Sequence, residues 1–213
     1  NIWVRDPMAM VAGSNALAEA YPDRFVLGLG VSHGPQISPR GHRYGKPVAT
    51  MRGYLEAMEA AEYTGPRPST PVPRLLAALR PPMLELAAEL TDGAHPYLVT
   101  PEHTARAREI LGPGKVLAPE MFVLLQDDPA GARAAGREAL GFYLTLPNYL
   151  NALRWIGFSD EDFADGGSNG LVDALIAWGG ADVIRARVRE HLDAGADHVC
   201  IQPIGSGADS LGL

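Results

Sequence analysis

Thiol chemistry is nearly absent from this chain of 213 residues: Cys200 is the one cysteine, so no intrachain disulfide can form. That fits a reducing compartment, and the cytoplasm is the expected location. Positive charge is also short. Lys and Arg number 18 against 25 Asp and Glu, a formal charge of −7. Such a balance argues against a general nucleic-acid binder and against an anionic membrane surface as partner. No apolar run approaches the roughly 20 residues that a membrane helix needs. Neither a Gly-x-Ser-x-Gly elbow nor a phosphate-binding Walker loop occurs. His33 and His42, like His95 and His103, lack carboxylates at ligand spacing, so no metal site is expected. Cys200 lies in an apolar run without a basic activator nearby and reads as inert packing.

What is present is a rhythm: a short apolar run, a turn signal, then a segment of helical period, again and again. This is the βα pattern of a parallel sheet. The runs are apolar without alternation, as strands buried on both faces should be. They are Phe25–Gly30, Arg74–Leu79, Tyr97–Val99, Glu120–Gln126 and His198–Gln202, with Asn1–Val4 looking like the end of another strand. Helices begin at cap-proline pairs, Asp6-Pro7, Thr100-Pro101 and Asp128-Pro129, and at Lys46-Pro47. Apolar stripes follow: Val48, Met51, Leu55 and Met58; Met83, Leu86, Ala87 and Leu90; Ile184, Val188 and Leu192.

Two stretches break the rhythm. Val31 to Lys46 is long and rich in Gly, Pro and His. Gly141 to Trp178 is longer than one crossover helix requires and carries Phe142, Tyr143, Tyr149, Trp155 and Phe158. Both read as insertions over one end of a barrel, where binding loops sit. The expectation is one α/β domain over residues 1–213 with an insertion around 141–178. A closed (β/α)8 barrel needs eight strands and about 250 residues. Five strands and a stub imply a TIM barrel incomplete at its N-terminus, lacking strands one, two and most of three.

The segments Asn1-Ile-Trp-Val-Arg-Asp-Pro7, Asp23–His33, Tyr44-Gly-Lys-Pro47, Met83–Gly93 and His95–Pro101 resemble the luciferase-like monooxygenase superfamily, and within it the deazaflavin (coenzyme F420)-dependent oxidoreductases. The resemblance implies a luciferase-like barrel with Phe25–Gly30 as strand four and the next four runs as strands five to eight. It implies an oxidoreductase that transfers a hydride between F420 and a small organic substrate. FMN-dependent monooxygenases, which take electrons from a flavin reductase partner, and non-catalytic flavin-binding proteins are the alternatives within reach. A homodimer is expected, because an incomplete barrel exposes strand edges and apolar surface.

Three places could carry the chemistry. Gly30-Val31-Ser32-His33 ends a strand, where glycine lets a flat ring approach the backbone. His33 is the candidate general acid or base, or else a solvated loop residue. Leu79-Arg80-Pro-Pro-Met83 leads into a helix N-terminus, the place where the resemblance puts the cofactor phosphate. Pro81 and Pro82 have no N–H to offer, leaving the amides of Arg80, Met83 and Leu84 and the Arg80 guanidinium; the other reading is a plain proline-started helix. His95 and Tyr97 could line the pocket over the ring or serve only local hydrogen bonds. His42 and Tyr44 could shape a substrate lid.

Overall fold

The computed structural model describes residues 1–205. The elements run α1 (Pro7–Ala20), β1 (Leu27–Leu29), α2 (Gly34–Ile37), α3 (Pro47–Glu59), β2 (Arg74–Leu76), α4 (Pro81–Leu90), β3 (Gly93–Ala94), α5 (Pro101–Leu111), β4 (Val116–Leu117), β5 (Glu120–Leu124), α6 (Pro129–Leu140), α7 (Pro147–Ile156), α8 (Asp160–Phe163), α9 (Asn169–Leu175), β6 (Ile176–Trp178), α10 (Ala181–Asp193) and β7 (Cys200–Pro203). The cap-proline pairs start their helices as expected. Asp6 accepts from the Ala9 N–H at 2.9 Å and Asp128 from the Gly131 N–H at 2.8 Å. Thr100 accepts from the His103 N–H at 3.3 Å. Each such cap satisfies one orphan donor of the first turn.

Every strand pair is parallel, in the orders β1-β2-β3-β4 and β6-β5-β7. Pro119 has no N–H for the ladder and separates β4 from β5, which otherwise follow one another directly. The chain leading into β7 flanks both: the Asp197 N–H donates to the Leu117 carbonyl and the Cys200 N–H to the Pro119 carbonyl, each at 2.9 Å. The strands therefore form one arc of a parallel (β/α) barrel, the expected fold class. Among the described residues, β1 and β4 end the four-stranded sheet and β6 and β7 end the three-stranded one.

Three sequence readings are corrected. The strand placed at Tyr97–Val99 is instead Gly93–Ala94, because Pro96 lacks a donor and Leu98 takes a left-handed φ of 56° that ends extended pairing. Asn1–Val4 is a turn in which one strand-like bond survives, the Ile2 N–H on the Gly30 carbonyl at 3.1 Å. β6 lies inside the stretch read as an insertion; its Ile-Ala-Trp follows α9 without a break in hydrophobicity, so the two merged into one apparent apolar segment.

β5 shows why a two-sided apolar strand was legible. Met121 and Val123 pack toward Ile184 and Val188 of α10, while Phe122 joins Leu140, Tyr149, Leu153 and Ile176 on the opposite face. A larger cluster underlies β1 to β4, built from Leu29, Met51, Leu55, Leu76, Leu84, Leu86 and Leu117, each at most 2 % exposed.

Where α5 meets α10, two imidazoles are sealed in. His103 and His191 are each 1 % exposed. His103 Nε2–H donates to the Leu79 carbonyl at 2.8 Å, leaving Nδ1 bare. The Thr104 hydroxyl donates to the Thr100 carbonyl and so accepts from His191 Nδ1–H at 2.9 Å, leaving Nε2 bare. Burial holds both below the usual imidazole range, at about 4. With a depressed folded value, a histidine takes up its proton first in the unfolded chain, so stability is lost as pH falls from about 6.5 toward 4. The loss reaches about 3 kcal/mol per histidine. Histidine NMR titration checks this: of the six histidines, two should stay neutral until about pH 4. Finding all six titrating near 6.5 in the folded chain would contradict it.

Candidate functional site

The site lies at the C-terminal ends of the parallel strands, where loops of this architecture carry function. Gly30 follows β1, Ala77 follows β2 and His95 follows β3. Together with Tyr97 and residues of the segment 142–149 they line a cavity of about 420 Å³.

After β1, each carbonyl from Gly30 to Ser32 is held. Gly30 accepts from the Ile2 N–H, Val31 from the Trp3 indole N–H at 2.7 Å, and Ser32 from the Tyr44 hydroxyl at 3.1 Å. Ser32 itself sits at a φ of 58°, a conformation that costs a non-glycine residue roughly 1–3 kcal/mol unless its surroundings impose it. Its hydroxyl donates to Gln36 at 3.0 Å. His33 precedes α2, with its ring 5.7 Å from that of Tyr149. Partial burial lowers its proton affinity, and no hydrogen bond fixes its tautomer among the described residues.

After β3, His95 and Tyr97 are pinned from two sides. His95 Nδ1 lies 2.6 Å from the Ala118 carbonyl. The Tyr97 hydroxyl donates to Gln202 of β7 at 2.9 Å and meets the Tyr143 hydroxyl at 3.1 Å. Tyr143 and Tyr149 stack edge to face with centroids 5.0 Å apart, and Tyr97 meets Phe122 in the same manner at 5.9 Å. One side of the cavity is thus an aromatic cluster, backed by Phe122.

Beneath it stands Glu120, at the head of β5 and 4 % exposed. Its Oε2 accepts from the Leu98 N–H at 2.9 Å, while Oε1 has no partner. Burial pushes its carboxyl up to about 7.

The structure brings Gly30, Val31, Ser32, His33, His95 and Tyr97 to this one cavity. Arg80 and Met83 line a smaller hollow of about 120 Å³ that shares Val31, Ser32, Ala77, Leu79 and Asn148 with it. The helix start at Met83 is corrected as an anion cradle: the Met83 and Leu84 N–H groups both donate to the Arg80 carbonyl at 3.0 Å. With Pro81 and Pro82 lacking donors, only the Arg80 amide and its exposed guanidinium remain. His42 packs on Trp3 at 5.3 Å, away from the cavity. Trp155 faces His103 and Arg106 instead of the cavity. Sequence reading overlooked Glu120 and Gln202, although each is a polar residue set in an otherwise apolar strand run, which is the signal that marks them.

Ionising Glu120 opposes folding. Its folded value lies above that of a free carboxyl, so its contribution is fully present below about pH 4.5 and is lost as pH rises through about 7. Glu120→Gln keeps an acceptor for Leu98 and removes the charge. Urea unfolding should show the wild type losing up to about 3 kcal/mol relative to Glu120→Gln between pH 5 and 8. Parallel pH profiles would contradict this.

A family model of luciferase-like monooxygenases matches residues 1–198. An F420-dependent secondary alcohol dehydrogenase, in complex with an F420–acetone adduct, superposes with a TM-score of 0.70 at 14% identity, over 92% of this chain and 69% of that one. For the coenzyme F420-dependent tetrahydromethanopterin reductase of Methanopyrus kandleri the values are 0.72 and 17%, over 95% and 75%. For the FMN-bound oxygenating constituent of 3,6-diketocamphane monooxygenase from Pseudomonas putida they are 0.64 and 12%, over 95% and 71%. At such identities the likeness is one of fold, and the family is shown by the match along nearly the whole chain: the protein belongs to the luciferase-like monooxygenase family.

Proposed function

We propose that this chain is an oxidoreductase that binds the deazaflavin coenzyme F420 and acts on a small organic substrate. The observation that carries this reading is the pair of joined hollows: a larger one walled by aromatic rings and small strand-end residues, and a smaller one bordered by the Arg80 guanidinium. A flat ring suits the first. Gly30 and Ala77 line it without bulky side chains, and Ala77 is exposed at the strand end. An anionic tail suits the second, because guanidinium pairs with phosphate through paired donors. When bound, a deazaflavin supplies a hydride acceptor or donor, the chemistry the protein lacks in its own side chains.

The chain's residues would do the rest. Gly30 to Ser32 hold one flank of the ring through a backbone already fixed by Trp3 and Tyr44. His33 is placed for proton exchange at the mouth. Tyr143 and Tyr149 keep water from the substrate side. The F420 dependence of two structural neighbours supports the deazaflavin reading; the FMN held by the diketocamphane monooxygenase supports a flavin alternative.

Fluorescence titration with F420 and with FMN tests this. Saturable binding of F420 is expected, weakened about tenfold in Arg80→Ala through loss of a charge-assisted contact. Binding of FMN alone would move the assignment to the flavin branch. Binding of neither would overturn it.

A further inference from the structure

We propose that His95 sets substrate choice by accepting a hydrogen bond through Nε2, so that the small substrate of this cavity carries a hydroxyl at that point and is an alcohol. The proposal deepens the oxidoreductase reading and rests on it for the word substrate.

The tautomer of His95 follows from its partner. A backbone carbonyl can only accept, so the 2.6 Å contact with the Ala118 oxygen requires the hydrogen on Nδ1. The lone pair of the neutral ring is then on Nε2. That atom has no hydrogen-bond partner among the described residues and is not one of the nitrogens sealed in the core. The ring is half-buried and lines the cavity. Nε2 therefore faces the incoming molecule as an acceptor.

The neighbouring phenols reinforce that polarity. The single hydrogen of the Tyr97 hydroxyl goes to Gln202 Oε1. The 3.1 Å contact between Tyr97 and Tyr143 must then be donated by Tyr143. Both hydroxyl hydrogens are used within the protein, and the chain of donation runs from the cavity wall outward to β7. A ketone oxygen set against His95 would bring lone pairs to a lone pair, whereas a hydroxyl brings a hydrogen. Side-chain amides also line the cavity, from Gln36 and Asn148 on helices and from Asn1 beside the end of β1, whose Oδ1 accepts from the Trp3 N–H; none of them is a neighbour of His95 in the chain. His33 has no comparable lock on its tautomer, which makes it the weaker candidate for reading a donor.

Cyclohexanol and cyclohexanone share the ring and the position of the oxygen, which donates a hydrogen only in the alcohol, and serve as probes. Protein labelled with 15N-histidine should show His95 with hydrogen on Nδ1, and cyclohexanol should move its Nε2 signal while cyclohexanone does not. Cyclohexanol should bind about tenfold more tightly than cyclohexanone. The preference should vanish in His95→Phe and persist in His33→Phe. An Nε2-protonated His95, equal binding of the two probes, or loss of the preference in His33→Phe alone would overturn the proposal. The tautomer measurement needs only the wild-type chain and stands even where His95→Phe folds poorly. F420 titration of the same proteins keeps the two readings apart: a chain that prefers the alcohol and ignores F420 contradicts the cofactor assignment, and one that binds F420 without the preference contradicts the role of His95.

Discussion

The hydrogen bond from the Leu98 N–H to Glu120 holds the candidate site together. Past Gly93–Ala94 the chain can no longer pair as a strand, because Pro96 lacks a donor and Leu98 turns left-handed. His95 and Tyr97 stand on that irregular stretch. Four contacts with the neighbouring run 118–120 replace the lost ladder. Glu120 N–H donates to the Pro96 carbonyl at 2.8 Å, Val99 N–H to the Glu120 carbonyl at 3.4 Å, Leu98 N–H to the Glu120 side chain, and His95 Nδ1–H to the Ala118 carbonyl. The cost is a carboxyl taken out of water with one oxygen unpartnered. A raised proton affinity is the physical consequence, and it ties the integrity of the site to pH.

The two buried histidines pull the other way. His103 reaches the Leu79 carbonyl, directly ahead of Arg80, and His191 is tied through Thr104 to the start of α5. Their neutrality locks the helix layer beneath the strand ends. Acid charges the histidines and alkali charges Glu120, so the fold is squeezed from both sides, with the site-bearing turn and the helix packing answering to different groups.

Most of the architecture was legible because it rests on local chemistry. Asp6-Pro7, Thr100-Pro101 and Asp128-Pro129 cap helices by side-chain oxygens that reach an amide three residues on, a contact that needs no tertiary information. The buried run Glu120–Leu124 was readable because both its faces meet helices. What escaped depends on partners distant in sequence. Tyr97–Val99 has the composition of a strand, yet Leu98 leaves the extended region with its N–H on Glu120. The Met83 amide looked available to a phosphate until the Arg80 carbonyl claimed it. Gln202 matters only because Tyr97, far from it in the chain, donates to it.

Glu120 fixes the stretch carrying His95 and Tyr97. Amide hydrogen exchange at Leu98 reads that contact directly. Protection at Leu98 should be comparable to that of the β5 amides in the wild type, largely kept in Glu120→Gln and reduced at least about tenfold in Glu120→Ala, with β1 amides unaffected. Unchanged protection of Leu98 in Glu120→Ala, in a chain that remains folded, would contradict it.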